Sequence, residues 1–286
     1  MRRRVTLALA LVCGATPAGA AEDLVSTRAL GMGEALRAGG AGASALYLNP
    51  AGMTTAQQYV LEVDYQYRAS DAGHTVGVTI VDSVTAALAA GVFYDFVTSE
   101  PIVAGEQIDV SAHEVGLALA FPFSDALAVG ATGRYLNADG AAFEGASDLD
   151  ASELTLDAGI VLRFGGLRVG AAGQNLVSDP PLVRRQLGGG VGYAFEDFLL
   201  VEIDARWDLD RRDEASPRYG GGAELSLADA VAIRAGGVHE AAEDATYVTG
   251  GLAYVSGGAA IEASVRQQVD AGDETLLSVA VRLFAE

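Results

Sequence analysis

The sequence predicts an all-β chain: a 14-stranded antiparallel transmembrane β-barrel with an N-terminal hatch in its lumen. Three observations lead there. Fourteen strand-length segments between Tyr59 and Phe284 alternate apolar and polar residues. Their number is even, as in single-chain bacterial barrels. The gaps after odd-numbered segments are mostly longer than those after even-numbered ones, the asymmetry of external loops and periplasmic turns. The run from Leu199 to Leu209 shows the alternation best: Val201, Ile203, Ala205, Trp207 and Leu209 share one face, and Glu202, Asp204, Arg206 and Asp208 share the other. A period of two with one apolar face places a strand between two different solvents. A soluble sandwich also fits one such strand, but it has no reason to sort its loops by parity.

From the start of the chain, residues 1–20 read as a secretory signal peptide: Arg2-Arg3-Arg4, the apolar run Val5 to Val12 and the small-residue site Ala18-Gly19-Ala20. The only cysteine, Cys13, falls inside it, leaving no thiol for disulfides or metal sites. Residues 21–58 lack strand alternation, are rich in Ala and Gly, and contain helix-like pieces at 27–37 and 44–48. They form the expected hatch. The barrel occupies 59–286, with strands at 59–68, 74–81, 85–98, 108–121, 126–137, 152–164, 167–175, 185–194, 199–209, 218–225, 230–238, 245–255, 259–267 and 275–284. Turns such as Gly165-Gly166 and Ser256-Gly257-Gly258 follow even-numbered segments, and 99–107, 138–151 and 210–217 follow odd-numbered ones.

The two faces differ in chemistry. Leu88, Val92, Tyr94 and Phe96, then Leu154, Leu156, Ile160, Leu162 and Phe164, then Leu277, Val279, Val281 and Leu283 form the expected lipid side. Aromatics gather near segment ends, where girdles mark bilayer interfaces. The opposite face carries acids and arginines in near balance, among them Glu114, Glu153, Asp157, Arg134, Arg163 and Arg168, the candidate lumen residues. Cross-strand pairing of those arginines with those acids is the simple expectation. Gly188, Gly190, Gly192, Gly220 and Gly222 also point inward, and strand-interior glycine suggests that something approaches the wall closely.

The eighteen basic residues, all arginine, are outnumbered by thirty-eight acids, for a formal net charge of −20. That balance argues against nucleic acid as a partner. No apolar stretch is long enough for a transmembrane helix, yet mean hydropathy is +0.27, as dispersed lipid-facing residues give. His74, His113 and His239 lack metal-ligand spacing, and Gly31-Met32-Gly33 has Leu36 where a dinucleotide fingerprint needs glycine. No catalytic constellation, metal or cofactor is expected.

Ala29-Leu30-Gly31-Met32-Gly33, Arg37-Ala38-Gly39-Gly40-Ala41 and Tyr47-Leu48-Asn49-Pro50-Ala51-Gly52 resemble the N-terminal hatch of the FadL family of outer-membrane proteins for hydrophobic compounds; PorV/PorQ-type barrels share this kind of opening. The resemblance is specific over 29–53 and extends to the barrel as a pattern. It implies a fourteen-stranded barrel in the Gram-negative outer membrane that admits lipid, hydrocarbon or aromatic compounds passively past the hatch. The alternative it implies is a structural or secretion-accessory barrel that binds envelope proteins, and loops at 99–107 and 138–151 that are short for the fatty-acid transporters favour it. Asn49, Pro50, Ala51 and Gly52 are the hatch motif: Pro50 removes a donor and biases Asn49 away from helix, leaving its amide free to hold the hatch to the wall. Acidic odd-numbered loops favour neutral compounds over fatty-acid anions. Arg134, Arg163 and Arg168 would reverse that preference if they stood unpaired beside the hatch.

Overall fold

The computed structural model describes residues 24–286 except 104–105, 141–148, 178–181, 197, 211–216, 229, 271 and 286. The signal-peptide reading lies outside the described residues. Fourteen antiparallel strands form one closed ring: β1 (Tyr59–Arg68), β2 (Gly73–Asp82), β3 (Ala89–Ser99), β4 (Val110–Ser124), β5 (Leu127–Gly140), β6 (Leu149–Phe164), β7 (Leu167–Gln174), β8 (Gln186–Phe195), β9 (Leu199–Asp208), β10 (Pro217–Leu227), β11 (Val231–Glu240), β12 (Ala245–Ser256), β13 (Ala259–Gln268) and β14 (Thr275–Ala285). Each strand pairs with its sequence neighbours, and β1 meets β14 in register from Tyr59↔Ala285 to Arg68↔Leu276. Closure satisfies every strand edge within the ring.

Loop parity holds after the first pair of gaps. Strands β4, β6, β8, β10 and β12 end in turns of two or three residues, while 100–109, 175–185 and 269–274 are longer. In the β12–β13 turn both Gly257 (φ 58°) and Gly258 (φ 82°) are left-handed, as a two-residue hairpin of this twist needs. The exception is 83–88, longer than the 69–72 gap before it. Strand β3 starts at Ala89 and not at residue 85, so Leu88 precedes it. Asp82 Oδ1 accepts from the amides of Val84 (3.0 Å) and Thr85 (2.9 Å), which turns the chain before the apolar alternation resumes.

The faces are inverted relative to a soluble protein. Outward residues are apolar on every strand, from Leu61 and Val63 of β1 through Leu154, Leu156 and Ile160 of β6 to Leu277, Val279, Val281 and Leu283 of β14, all exposed. Aromatics band both ends of this surface: Tyr65, Tyr94, Tyr135, Trp207 and Tyr219 toward the long loops, Tyr59, Phe121, Phe164, Tyr193 and Tyr254 toward the short turns. Glu62, Asp64, Asp95, Glu114, Asp157, Glu202, Glu262, Arg134, Arg234 and Arg266 are buried on the other face. No helix among the described residues is long and apolar enough to cross a membrane.

The apolar core is built around residues 24–53 and not between sheets. Leu30, Met32, Leu36, Leu46 and Met53 are fully buried against Val60, Val81, Phe93, Ala118 and Ala120 of the wall. The segment contains two short helices, α1 (Thr27–Gly31) and α2 (Ala43–Leu48), and a 3-10 turn, Pro50–Thr55. α1 stops at Gly31, short of the 27–37 helix expected, because Gly33 (φ 64°) and Glu34 (φ 60°) adopt left-handed backbone. Ser26 starts it, its hydroxyl accepting from Ala29 N–H at 3.2 Å.

Candidate functional site

Backbone meets backbone where the wall carries glycine. A Cβ on Gly222 would lie 2.6 Å from Met32 C, one on Gly236 2.6 Å from Gly33 N, one on Gly170 2.6 Å from Arg37 C, and one on Gly130 2.6 Å from Pro50 C. Each is closer than real Cβ contacts allow, so an alanine at any of them would push residues 32–51 off strands β5, β7, β10 and β11. Gly190 and Gly192 act differently: they clear space for the Asp204 and Glu202 side chains of neighbouring β9. Close approach is the reason for strand-interior glycine here, as the sequence suggested.

Those two acids then grip the segment. Glu202, 1% exposed, accepts from Ala38 N–H (2.5 Å) and Gly39 N–H (2.8 Å). Asp204 accepts from Arg37 N–H and from its guanidinium, both at 3.1 Å. Further contacts come from the rest of the ring: Arg28 to Glu224 at 2.6 Å, Glu34 to Arg218 (2.6 Å) and Arg266 (2.5 Å), Thr27 to Ser278 at 2.6 Å, and Tyr47 Oη to Asp95 at 3.0 Å. Burial, with Asp95 beside it, holds the Tyr47 hydroxyl well above the usual tyrosine range, so it remains a donor. Buried charges are tolerable only when paired in this way. The sequence reading did not name Arg28 or Glu34, and named Arg37 and Tyr47 only as parts of the stretches that carry the resemblance. Their signal is there: they are the polar exceptions in a stretch otherwise made of small apolar residues.

Asn49 sits where the segment turns back to the wall. Its Nδ2 donates to Arg37 O (2.7 Å) within the segment and to Ile160 O (3.1 Å) on β6, while its Oδ1 accepts from Ala51 N–H (3.2 Å) as the cap of the 3-10 turn. Pro50 opens that turn. Ala51 packs on Ala128 and Val161, and Gly52 is buried beside Gly40 O. All four motif residues therefore lie at one junction between the segment and strands β5 and β6.

The candidate lumen residues divide into two groups. Arg134 is buried, its Nε donating to Glu114 at 2.6 Å and its Nη1 reaching Asp157 and Asn175, each at 3.4 Å. Glu153 lies further along the inward face of β6, half-buried. Arg163 and Arg168 depart from the expected pairing. They are cross-strand partners of each other, and neither has a carboxylate within 4.0 Å among the described residues. Arg163 donates to Thr54 Oγ1 (3.2 Å), Thr55 Oγ1 (3.5 Å) and Asp125 O (3.3 Å); Arg168 donates to Gly39 O (3.3 Å). The two-residue Gly165-Gly166 turn dictates their opposition, a register signal present in the sequence.

Two small cavities lie against the segment. A cavity of about 20 Å³ lies between Leu24, Gln66, Arg68 and Arg266, and one of about 10 Å³ between Glu34, Arg37, Asp204 and Arg218. Each is of the size of one water. The histidines hold structural partners at strand ends: His74 with Tyr65 (2.7 Å), His113 with Tyr94 (2.8 Å) and His239 with Thr246 (3.2 Å). Among the described residues no group of three or more His, Cys, Asp or Glu could hold a metal ion.

No protein-family model and no curated protein matches the chain. Solved structures do. The chain is similar to the CymD monoaromatic hydrocarbon channel (TM-score 0.71, 15% identity, 91% of this chain and 96% of that one covered). It is also similar to the Ralstonia pickettii toluene transporter TbuX (0.68, 14%, 91% and 97%) and to a Pseudomonas aeruginosa FadL homologue (0.70, 10%, 91% and 98%). At these identities the likeness is one of fold, and it spans nearly the whole of both chains. A closed ring of fourteen antiparallel strands, apolar outside and charged within, is thus the fold that this chain shares with these structures, a FadL homologue among them.

Proposed function

We propose that the protein is an outer-membrane channel for passive uptake of hydrophobic small molecules, with residues 21–58 as its hatch and residues 1–20 as a cleaved signal peptide. The observation that carries this reading is the fit between a charged wall and a segment held against it by glycine contacts and ion pairs, inside a ring whose outer surface suits lipid. The similar structures named as monoaromatic hydrocarbon and toluene carriers support it. The two cavities described at the segment are each too small for such a compound. In this reading the hatch shifts to let the compound pass, which neither an energy source nor a cofactor need drive.

Within this reading neutral hydrocarbons or aromatics are preferred over long-chain carboxylates at entry: Arg134 is paired with Glu114, and Arg163 and Arg168, which lack a carboxylate among the described residues, stand at the short-turn end, away from the entry loops. Glu100, Asp244, Asp270 and Asp273 stand at the long-loop end, and their field repels anions over about 8 Å at physiological salt. Proteoliposome uptake of a neutral aromatic and of a fatty acid matched in size, at low and high salt, tests it. The aromatic is expected to enter faster, and the gap to narrow as salt rises. Faster fatty-acid entry at low salt would reject the preference, and entry of neither would reject the channel.

A further inference from the structure

We infer that Arg163 and Arg168 form an oxyanion site at the short-turn mouth of the barrel, a site that ties the end of the N-terminal segment to the wall when a carboxylate or phosphate group occupies it. The inference stands on the barrel geometry and does not require transport. Its basis is a contrast along one face. Arg68, Arg134, Arg218, Arg234, Arg266 and Arg282 of the wall each lie within 4.0 Å of a carboxylate. Arg163 and Arg168, on adjacent strands and directly opposite each other, have none within that distance among the described residues.

Like charges directly opposite across two strands destabilise the sheet. An exchange of either residue for a neutral one would remove that repulsion, so a bound counter-charge is the occupant that gives the pair a use. Glu202 is in register with Arg168 across Gly192, but its two oxygens accept from Ala38 and Gly39. Asp125 contributes only its carbonyl to Arg163. Both arginines are half-buried, at the short-turn end of their strands, with Nη2 of each lacking an acceptor among the described residues. Thr55, whose hydroxyl accepts from Arg163, adds a hydroxyl donor from the segment's last turn, while the Thr54 hydroxyl donates to Ala51 O and only accepts from Arg163. Two planar guanidinium forks with one hydroxyl match an oxyanion.

The test uses the folded full-length protein in detergent, with octanoate, inorganic phosphate and neutral octanol as probes in titration calorimetry. Octanoate or phosphate is expected to bind, with affinity falling as salt rises, and octanol to be insensitive to the arginines. Binding by octanoate alone assigns the site to amphipathic carboxylates; binding by phosphate as well assigns it to oxyanions in general. In R163Q/R168Q the anion affinity should fall about tenfold or more, the loss expected for charge-assisted hydrogen bonds. R163E gives Arg168 a cross-strand carboxylate; it should abolish anion binding while raising the thermal midpoint measured without anion, a readout independent of the double variant's folding. Absence of anion binding to the wild type, or unchanged affinity in R163E, would overturn the site. Failed uptake in liposomes with this binding intact would reject the channel and leave the site standing.

Discussion

At the scale of single residues, Asn49 joins three things that side chains seldom join: a carbonyl of its own segment, a carbonyl of the wall and the first amide of the turn after it. Asn49→Ala removes all three bonds at a buried position, at a cost of about 1 to 3 kcal/mol. The ring does not depend on them. Limited proteolysis should cut residues 24–58 faster in the variant while heat-modifiable migration on gels stays normal; equal cutting would confine Asn49 to capping the 3-10 turn. A glycine pair gives a second comparison. Gly222→Ala would force its Cβ onto Met32 and dislodge the segment, whereas a Cβ on outward-facing Gly133 meets nothing within 4 Å. Gly133→Ala should be neutral or stabilise the strand by about 0.5 to 1 kcal/mol. Thermal midpoints and proteolysis of both variants check this, and similar behaviour would remove close approach as the reason for the inward glycines. These contacts were only partly legible in the sequence. Periodicity told which residues face inward, and so named Arg134, Glu114 and Asp157 together. It could not tell which long side chains meet across two or three strands, nor that Asp204 and Glu202 bond to backbone of the segment.

Elements were read more readily, because a period of two between unlike solvents constrains every second residue. Thirteen of the fourteen strands begin and end within about three residues of expectation. The third begins late because Ser83 to Leu88 carries on an apolar pattern through a loop, and only the turn-forming Asp82 marks the break. The parity of the gaps places 257 at one end and 273 at the other. A cysteine at Asp273 should react with a membrane-impermeant maleimide on intact cells, and one at Gly257 only after the outer membrane is opened; the reverse pattern would invert the barrel. The apolar face predicts a second outcome. Ile203, 65% exposed in the middle of β9, should tolerate leucine, while Ile203→Arg should lower folding stability in lipid by about 2 to 4 kcal/mol. Refolding into vesicles measures it, and a silent arginine would mean that this face does not meet lipid.

For the whole molecule the question is whether the segment must move for anything to cross. Thr27 and Ser278 hydroxyls lie 2.6 Å apart between the segment and β14, close enough for a cysteine pair to be bridged. Once oxidised, T27C/S278C should keep the ring intact and abolish uptake of a neutral aromatic, with reductant restoring it. Undiminished uptake in the oxidised form would show that this part of the segment stays fixed during passage. The anchors around it are strong individually, since removing one partner of a buried ion pair costs about 3 to 5 kcal/mol. They are spread over Glu224, Arg218, Asp204 and Asp95, on three different strands. Local release near Asn49 is therefore cheaper than expulsion of the segment.

Because β1 pairs with β14, the ring also sets an order of events in time. A chain handed over from its N-terminus must keep one edge of β1 unpaired until the thirteenth and last of its following strands arrives, and contacts this distant in sequence form slowly. Thr27 waits for Ser278, and Glu34 for Arg266, over the same interval. The segment's polar groups and the open edge of β1 are thus exposed together for most of assembly, the state in which barrels stick to one another. Shortening the chain by β14 would not yield a slightly weaker barrel. It would leave the wait without an end.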